Sequence, residues 1–173
     1  LSIEKRQDVL IEAVARSKHR GGIQLVLAGK GPRREALEKL AEKLGVPVRF
    51  GFYSKPELLD LIAMSDLYVH AADMEIEAMS CMEAFACGLV PVIADSPKSA
   101  TPQFALDERS LFAAGDSAKL AERIDYWIEH EPERKEMERR YAESAKKYNL
   151  EQCVRQAEEM FALAIEENKH EGI

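Results

Sequence analysis

The sequence predicts a parallel α/β fold, and three observations carry that prediction. Short, almost uninterrupted apolar runs recur at 23–28, 46–50, Leu67–His70 and 89–94. Stretches with apolar residues at helical spacing separate them. Each run stops at small or polar residues, such as Gly29, Gly51 or Asp95. Runs this apolar suit strands buried on both faces. Strands alternating with helices build a parallel sheet covered on both sides, a three-layer arrangement.

Taken in order, residues 4–17 read as a helix with Leu10, Ala13, Val14 and Ser17 on one face. A strand at 23–28 stops at Gly29-Lys30-Gly31-Pro32. Residues 33–44 return to helix through Leu37, Leu40, Ala41 and Leu44. The strand 46–50 leads to Ser54-Lys55-Pro56-Glu57, which matches a capping box and opens a helix to about Ala63. After the strand Leu67–His70, residues 77–87 form an apolar helix ended by Gly88. The strand 89–94 follows, then an irregular stretch at 95–109 and a short fifth strand at 110–112. Three helices close the chain. The first starts at Ser117 and turns Leu120, Ala121, Ile124, Trp127 and Ile128 inward. The second covers about 132–147. The third is capped by Asn149 and carries Val154, Ala157, Phe161 and Ala164 on one face.

A chain of 173 residues suits one domain, placed at 1–166, with a polar tail at 167–173 expected to fray. The net charge is −7, from 24 Lys+Arg against 31 Asp+Glu. That argues against nucleic-acid binding and offers no basic face to anionic lipid, yet a helix N-terminus can still take an anion. The three cysteines form no C-x-x-C, and Cys81 and Cys87 would not share a helix face. Neither a disulfide framework nor a zinc site is expected, and a reducing, cytoplasmic setting is. The longest apolar stretch, 85–94, is broken by Gly88 and Pro91 and falls short of the ~20 residues of a membrane span. No signal peptide opens the chain, which starts at Leu1 and reads as part of something longer.

In parallel sheets of this kind ligands sit beyond the carboxyl ends of the strands. Four candidates lie there. Gly29-Lys30-Gly31-Pro32 offers two glycines for close backbone approach and a lysine for an anion, against the plain reading of a turn. It is neither a dinucleotide fingerprint nor a Walker loop, because Arg34 stands where a third glycine is needed and no Gly-Lys-Ser/Thr follows. Glu75 and Glu83 lie eight apart, the first in a loop and the second in a helix between Cys81, Met82, Ala84 and Phe85. A carboxylate in such a setting needs partners; a vicinal diol such as a ribose would supply them, and so would a neighbouring cation. The backbone around 76–79 opens that helix and offers free N–H groups to a diphosphate. Lys5-Arg6 joins the cleft only if the chain before it points that way. His70 ends a strand and reads as a core residue or a support to the site. His19, His130 and His170 read as surface, and 129–147 as a solvated helix face. No nucleophile elbow, metal-ligand spacing or Asp-x-Asp triplet occurs.

These residues together resemble the donor-binding domain of glycosyltransferase family 4, the C-terminal half of a GT-B fold, over nearly the whole chain. Leu1-Ser2-Ile3-Glu4-Lys5 with Asp8, Leu10, Ile11 and Ala13 is similar to the family's segment after its Gly-Arg motif. Leu27-Ala28-Gly29-Lys30-Gly31-Pro32 is similar to its Gly-x-Gly-Pro loop. The most specific match is Glu75, seven residues, then Glu83-Ala84-Phe85-Ala86-Cys87-Gly88-Leu89-Val90-Pro91-Val92.

The resemblance implies a Rossmann-like three-layer domain with a parallel sheet, and a retaining hexosyltransferase as the full enzyme. It implies that Glu83 binds the ribose of a sugar nucleotide and Glu75 the hydroxyls of the donor sugar. Backbone groups of Ile76, Glu77, Ala78 and Met79 would take the distal phosphate, and Lys5 would neutralise the leaving diphosphate. Gly29, Lys30 and Gly31 with Phe52 and Tyr53 would line the nucleoside pocket. No cofactor or metal is implied, and the donor substrate would be a UDP-sugar, UDP-glucose by preference. A lipid or glycan acceptor would bind a separate N-terminal domain, with peripheral membrane contact in the full enzyme. The isolated chain should lack transferase activity.

The chain also departs from the family. Glu-Gly-Phe-Gly is replaced by Glu75-Ile76-Glu77-Ala78, Pro-Ser by Ala71-Ala72, and Gly-Gly-x-x-Glu by Ser96-Pro97-Lys98-Ser99-Ala100-Thr101. The variant loop through Phe112 is similar to bacterial lipid α-glucosyltransferases acting on cholesterol or diacylglycerol. A binding or scaffold domain without chemistry is the alternative. A phosphoryl-accepting signalling domain fits less well, since the strand ends offer Gly29-Lys30 and Gly51-Phe52 where acidic residues are required.

Overall fold

The structure is a computed structural model that describes residues 1–170, with side chains through 167. Five parallel strands alternate with seven helices. Strand β1 (Leu25–Ala28) pairs with β2 (Val48–Gly51), and β3 (Leu67–His70) pairs with β4 (Val90–Asp95), which pairs with β5 (Leu111–Ala113). The expected single sheet is therefore in two parallel pieces, of order β1-β2 and β3-β4-β5. Residues 1–6 bridge them at their carboxyl ends. The Leu1 nitrogen donates to the Lys30 carbonyl and Arg33 N–H to the Leu1 carbonyl, beyond β1; Asp73 N–H donates to the Glu4 carbonyl, beyond β3.

The helices are α1 (Gln7–Arg16), α2 (Arg34–Leu44), α3 (Lys55–Ala63), α4 (Met79–Ala86), α5 (Ser117–Glu129), α6 (Glu131–Ala145) and α7 (Leu150–His170). Helix α1 packs against α2 and α5, while α4 packs against α6. The faces read from periodicity are the buried ones: Leu10, Ala13 and Val14 on α1, Leu37 and Ala41 on α2, and Leu120, Ala121, Ile124 and Trp127 on α5. Strand β4 is buried at every position but Asp95. The Ser54 capping box is formed, with Ser54 N–H donating to Glu57 Oε2 at 2.7 Å.

Three boundaries moved for identifiable reasons. Helix α1 starts at Gln7 rather than 4, because Arg6 takes a left-handed conformation (φ 46°). Helix α4 starts at Met79 rather than 77, because Ala78 does the same (φ 49°). Helix α7 runs past 166 to His170, and residues 171–173 lie outside the described residues. Its apolar stripe is not covered within this domain: Val154 and Phe161 are exposed, so α7 adds nothing to the core. The highly charged α6 is not wholly solvated either, since Arg134 is buried and bonds Asp66 and Glu138.

The irregular stretch between β4 and β5 forms two 3₁₀ turns, Thr101–Phe104 and Glu108–Ser110. Phe104 and Tyr141 both meet the Phe85 ring, and the Tyr141 hydroxyl accepts from Leu106 N–H while donating to Ser110 Oγ. Arg109 closes the same region. It makes a two-pronged bond to Asp107 (2.7 and 2.8 Å), bonds Tyr126 and Glu133, and lies against Trp127. No helix among the described residues is long and apolar enough to cross a membrane.

Candidate functional site

The carboxyl ends of β1, β2 and β3 carry the sequence-predicted residues. Beyond β1, Gly29 has φ 139°, a backbone geometry that favours glycine, and its N–H donates to the Gly51 carbonyl at 2.7 Å. Gly31 is needed for another reason than the one expected. A Cβ there would lie 2.1 Å from the Leu1 carbonyl oxygen, so the glycine makes room for the N-terminal segment rather than for a ligand. Lys30 reaches across to the loop after β2, with its ammonium 4.1 Å from the centre of the exposed Phe52 ring. The Tyr53 ring covers Gly51, where a Cβ would stand 2.4 Å from it, and the Tyr53 hydroxyl is buried without a hydrogen-bond partner.

Beyond β3 the loop 71–78 is held from both sides. From the N-terminal segment, Arg6 pairs with Asp73 at 2.6 Å and Lys5 pairs with Glu75. From the loop after β4, Ser96 Oγ donates to the Asp73 carbonyl at 2.6 Å, and Ala100 N–H donates to the Glu75 carbonyl at 3.0 Å. The unusual segment Ser96–Thr101 thus fixes the backbone of Glu75. Burial pushes the Glu75 carboxyl up, but Lys5, the Ile76 N–H and His70 together outweigh it and hold the pKa below its usual value.

Glycines were expected to matter at 76 and 78, where this chain has Ile and Ala. Ile76 is 83% exposed, and so does not crowd the loop. Ala78 is buried and keeps the left-handed geometry a glycine would take (φ 49°, ψ 49°), at a cost of about 1–2 kcal/mol. The backbone path into α4 is therefore built despite the substitution. Glu77 lies in the loop and is exposed, as is Met79. At the first turn of α4 the Met79 and Ser80 amides have no helical acceptor, whereas Cys81 N–H donates to the Ala78 carbonyl at 2.8 Å.

Glu83 sits one step off the buried face of α4. Cys81, Ala84 and Phe85 go inward, while Glu83 stays half-exposed and pairs with Lys55. Its apolar neighbours in sequence are thus not its neighbours in space. Each glutamate of the pair therefore has its own lysine, Glu75 with Lys5 and Glu83 with Lys55. Lys55 is a residue the sequence reading missed. It stands at the start of α3 inside the capping box, and that local pattern hid its longer-range partner.

His70, read from the sequence as a core residue or a support to the site, lies beside Glu75. It is 4% exposed, its Nδ1 lies 3.1 Å from the Tyr68 hydroxyl, and that hydroxyl lies 2.8 Å from Ser80 Oγ. Its Nε2 has no hydrogen-bond partner and stands 3.8 Å from Glu75 Oε2. Burial, and then the nearby Lys5 charge, lower the His70 pKa to about 4. His19 and His130 lie nearer the surface: His19 pairs with Glu129, and His130 stacks on Tyr126. The three cysteines are free.

Known proteins are similar to this chain in sequence and fold. The chain is 52% identical to the catalytic domain of cholesterol-α-glucosyltransferase from Helicobacter pylori, with a TM-score of 0.83 over 86% of this chain and 93% of that one. The UDP complex of HepE from Anabaena has the same fold, with a TM-score of 0.82 at 23% identity, over 94% of this chain and 46% of that one. Among curated relatives, the putative glycosyltransferase EpsD of Bacillus subtilis is 33% identical over 136 residues, 77% of this chain and 35% of that protein. A GDP-mannose-dependent phosphatidylinositol dimannoside mannosyltransferase of Mycobacterium tuberculosis is 35% identical over 96 residues, 54% of this chain and 25% of that protein. The chain thus spans about a quarter to a third of these two relatives' lengths. The family described as glycosyl transferases group 1 matches residues 1–148, and the chain, with its Rossmann-like layering and GT-B neighbours, belongs to that family.

Proposed function

We propose that this domain binds a UDP-sugar, with glucose as the sugar, and serves as the donor half of a retaining glycosyltransferase. The carrying observation is that the two glutamates, with seven residues between them, are each held by a single lysine at the mouth of the strands. Ammonium groups stand where hydroxyl donors of a sugar nucleotide would go. Glu83 takes the ribose hydroxyls in place of Lys55, and Glu75 takes sugar hydroxyls in place of Lys5. The freed Lys5 and the first-turn amides of α4 then face the diphosphate. They stabilise the charge that develops as the glycosidic bond to phosphate breaks. That neutralisation calls for no metal. Gly29, Lys30, Phe52 and Tyr53 line the nucleoside end, where the exposed Phe52 ring offers a stacking face. The acceptor, a lipid or glycan, binds elsewhere in the longer protein, so this chain alone transfers nothing.

The 52% identity to a cholesterol-α-glucosyltransferase domain supports glucose and a lipid acceptor. The structural neighbour with bound UDP supports the base. The test is calorimetric titration of this chain with UDP, UDP-glucose, GDP and ADP, with EDTA and with Mg²⁺. Metal-independent binding selective for uridine nucleotides is expected. Preference for GDP would reassign the donor, and absence of any binding would favour a scaffold domain.

A further inference from the structure

His70 is buried yet holds one ring nitrogen unbonded, and that nitrogen faces a carboxylate engaged by a different group. On the reading above, Lys5 must leave Glu75 to serve a diphosphate. Glu75 would then lose its cation while only 17% of its side chain is exposed. We propose that His70 is a positioning residue for Glu75: its Nε2–H takes over the Glu75 carboxylate when Lys5 turns to the donor's diphosphate, and so keeps that carboxylate aimed at the sugar. This rests on the donor-site reading and adds to it a residue acting through Glu75.

The hydrogen bonding around the ring accommodates either tautomer, and the carboxylate facing Nε2 favours the one with the proton there. With the Tyr68 hydroxyl donating to Nδ1 and the Ser80 hydroxyl donating to Tyr68, Nε2 holds the hydrogen. A hydrogen on Nε2 also suits the carboxylate it faces at 3.8 Å, which a lone pair would repel. The charged groups acting on the ring are Lys5 from the N-terminal segment and Glu75 from the loop after β3; Tyr68 on β3 and Ser80 on α4 are neutral. The ring is neutral at pH 7, since burial and Lys5 hold its pKa near 4. It can donate to Glu75 without bringing a second full charge into the site. A shift of less than 1 Å turns the 3.8 Å separation into a hydrogen bond of about 2.9 Å.

Two arms test this. The first needs no nucleotide: ¹H–¹⁵N spectra of the imidazoles are compared between the parent chain and Lys5→Met. The proposal expects an Nε2–H tautomer in both. In Lys5→Met the Nε2 proton should move downfield, and the His70 midpoint should rise by about one pH unit or more. The added Glu75→Gln change should reverse most of that rise. An Nδ1–H tautomer, or a His70 unmoved by Lys5→Met, overturns the proposal. The second arm measures UDP-glucose binding. His70→Leu should weaken it about tenfold, whereas His70→Gln, whose amide can donate from nearly the same place, should stay within about threefold of the parent. Equal losses in the two variants would mean that His70 only packs, and would also overturn it. Failure of the parent chain to bind any uridine nucleotide would sink the donor-site reading instead, and the first arm would still decide whether His70 can hold Glu75.

Discussion

Arg109 and Lys5 are both cations in small side-chain networks, but they differ in how many partners hold them. Arg109 bonds Asp107, Tyr126 and Glu133 and lies against Trp127. Elsewhere in the core Tyr141 bonds Ser110, and the buried carboxylate of Asp125 bonds Ser17 and Lys18 N–H. These bonds tie elements distant in sequence to one another, although the Trp127 indole N–H has no hydrogen-bond partner. Lys5 and Lys55 each hold one glutamate, while His70 Nε2 and the Tyr53 hydroxyl hold nothing. A closed network resists exchange because each bond lost leaves others strained or unpaired. A single ion pair near solvent is worth about 0–1 kcal/mol and can be traded for a ligand at little cost. The first kind of region fixes the fold; the second is built to be re-partnered.

Four substitutions or conditions break or sharpen that contrast. The largest effect is expected from Asp125→Ala, which leaves the buried Ser17 hydroxyl and the part-buried Lys18 N–H without their acceptor. Chemical denaturation should show a loss of about 3 kcal/mol, at roughly 1–3 kcal/mol per orphaned group. Nucleotide affinity, measured on the folded fraction, should not move. Glu83→Ala should do the opposite. UDP affinity by calorimetry should fall by about 1–3 kcal/mol, while stability changes by no more than about 1 kcal/mol. Loss of stability without loss of affinity would place Glu83 with the first region.

A smaller effect is expected from acid. Burial, then Lys5, lower the folded pKa of His70 to about 4, below the ordinary 6.5, so the unfolded chain takes up the proton first. Stability from this group is complete above pH 6.5 and is lost as pH falls toward 4. Melting curves across that window should be flatter for His70→Gln than for the parent. The smallest change is a gain. Ala78→Gly removes the left-handed strain at φ 49° and should raise stability by about 1 kcal/mol, with the α4 entrance otherwise unchanged. A loss there would mean that packing of the buried Ala78 Cβ outweighs the strain.

The strands, the seven helices and most buried faces were legible in the sequence because periodicity reports burial directly. Boundaries were less so where backbone conformation decides them. Nothing in the residue types of Arg6 and Ala78 announces a left-handed φ, so both helices were expected to start too early. The pair Glu75 and Glu83 stood out by spacing and resemblance. Lys5 stood out by the resemblance but not as the partner of Glu75, 70 residues away, and Lys55, 28 from Glu83, did not stand out at all. Pairing at such separations is a property of the fold, and a local pattern such as the Ser54 capping box conceals it. Gly31 shows the same limit: its glycine was legible, but the Leu1 backbone that requires it was not. The apolar face of α7 was legible as a stripe, but its cover was not, because amphipathicity says that a face wants cover without saying by what.

The two lysine–glutamate pairs also bear on how fast an anion arrives. With Lys5 and Lys55 already neutralised, with Glu77 nearby and an overall charge of −7, the mouth casts little positive field into solution beyond that of Lys30. A nucleotide diphosphate is therefore not steered in from a distance. It must meet the site by ordinary diffusion and displace the ammonium groups on contact. Its association rate should accordingly vary little with added salt, in contrast to a cleft lined by bare cations.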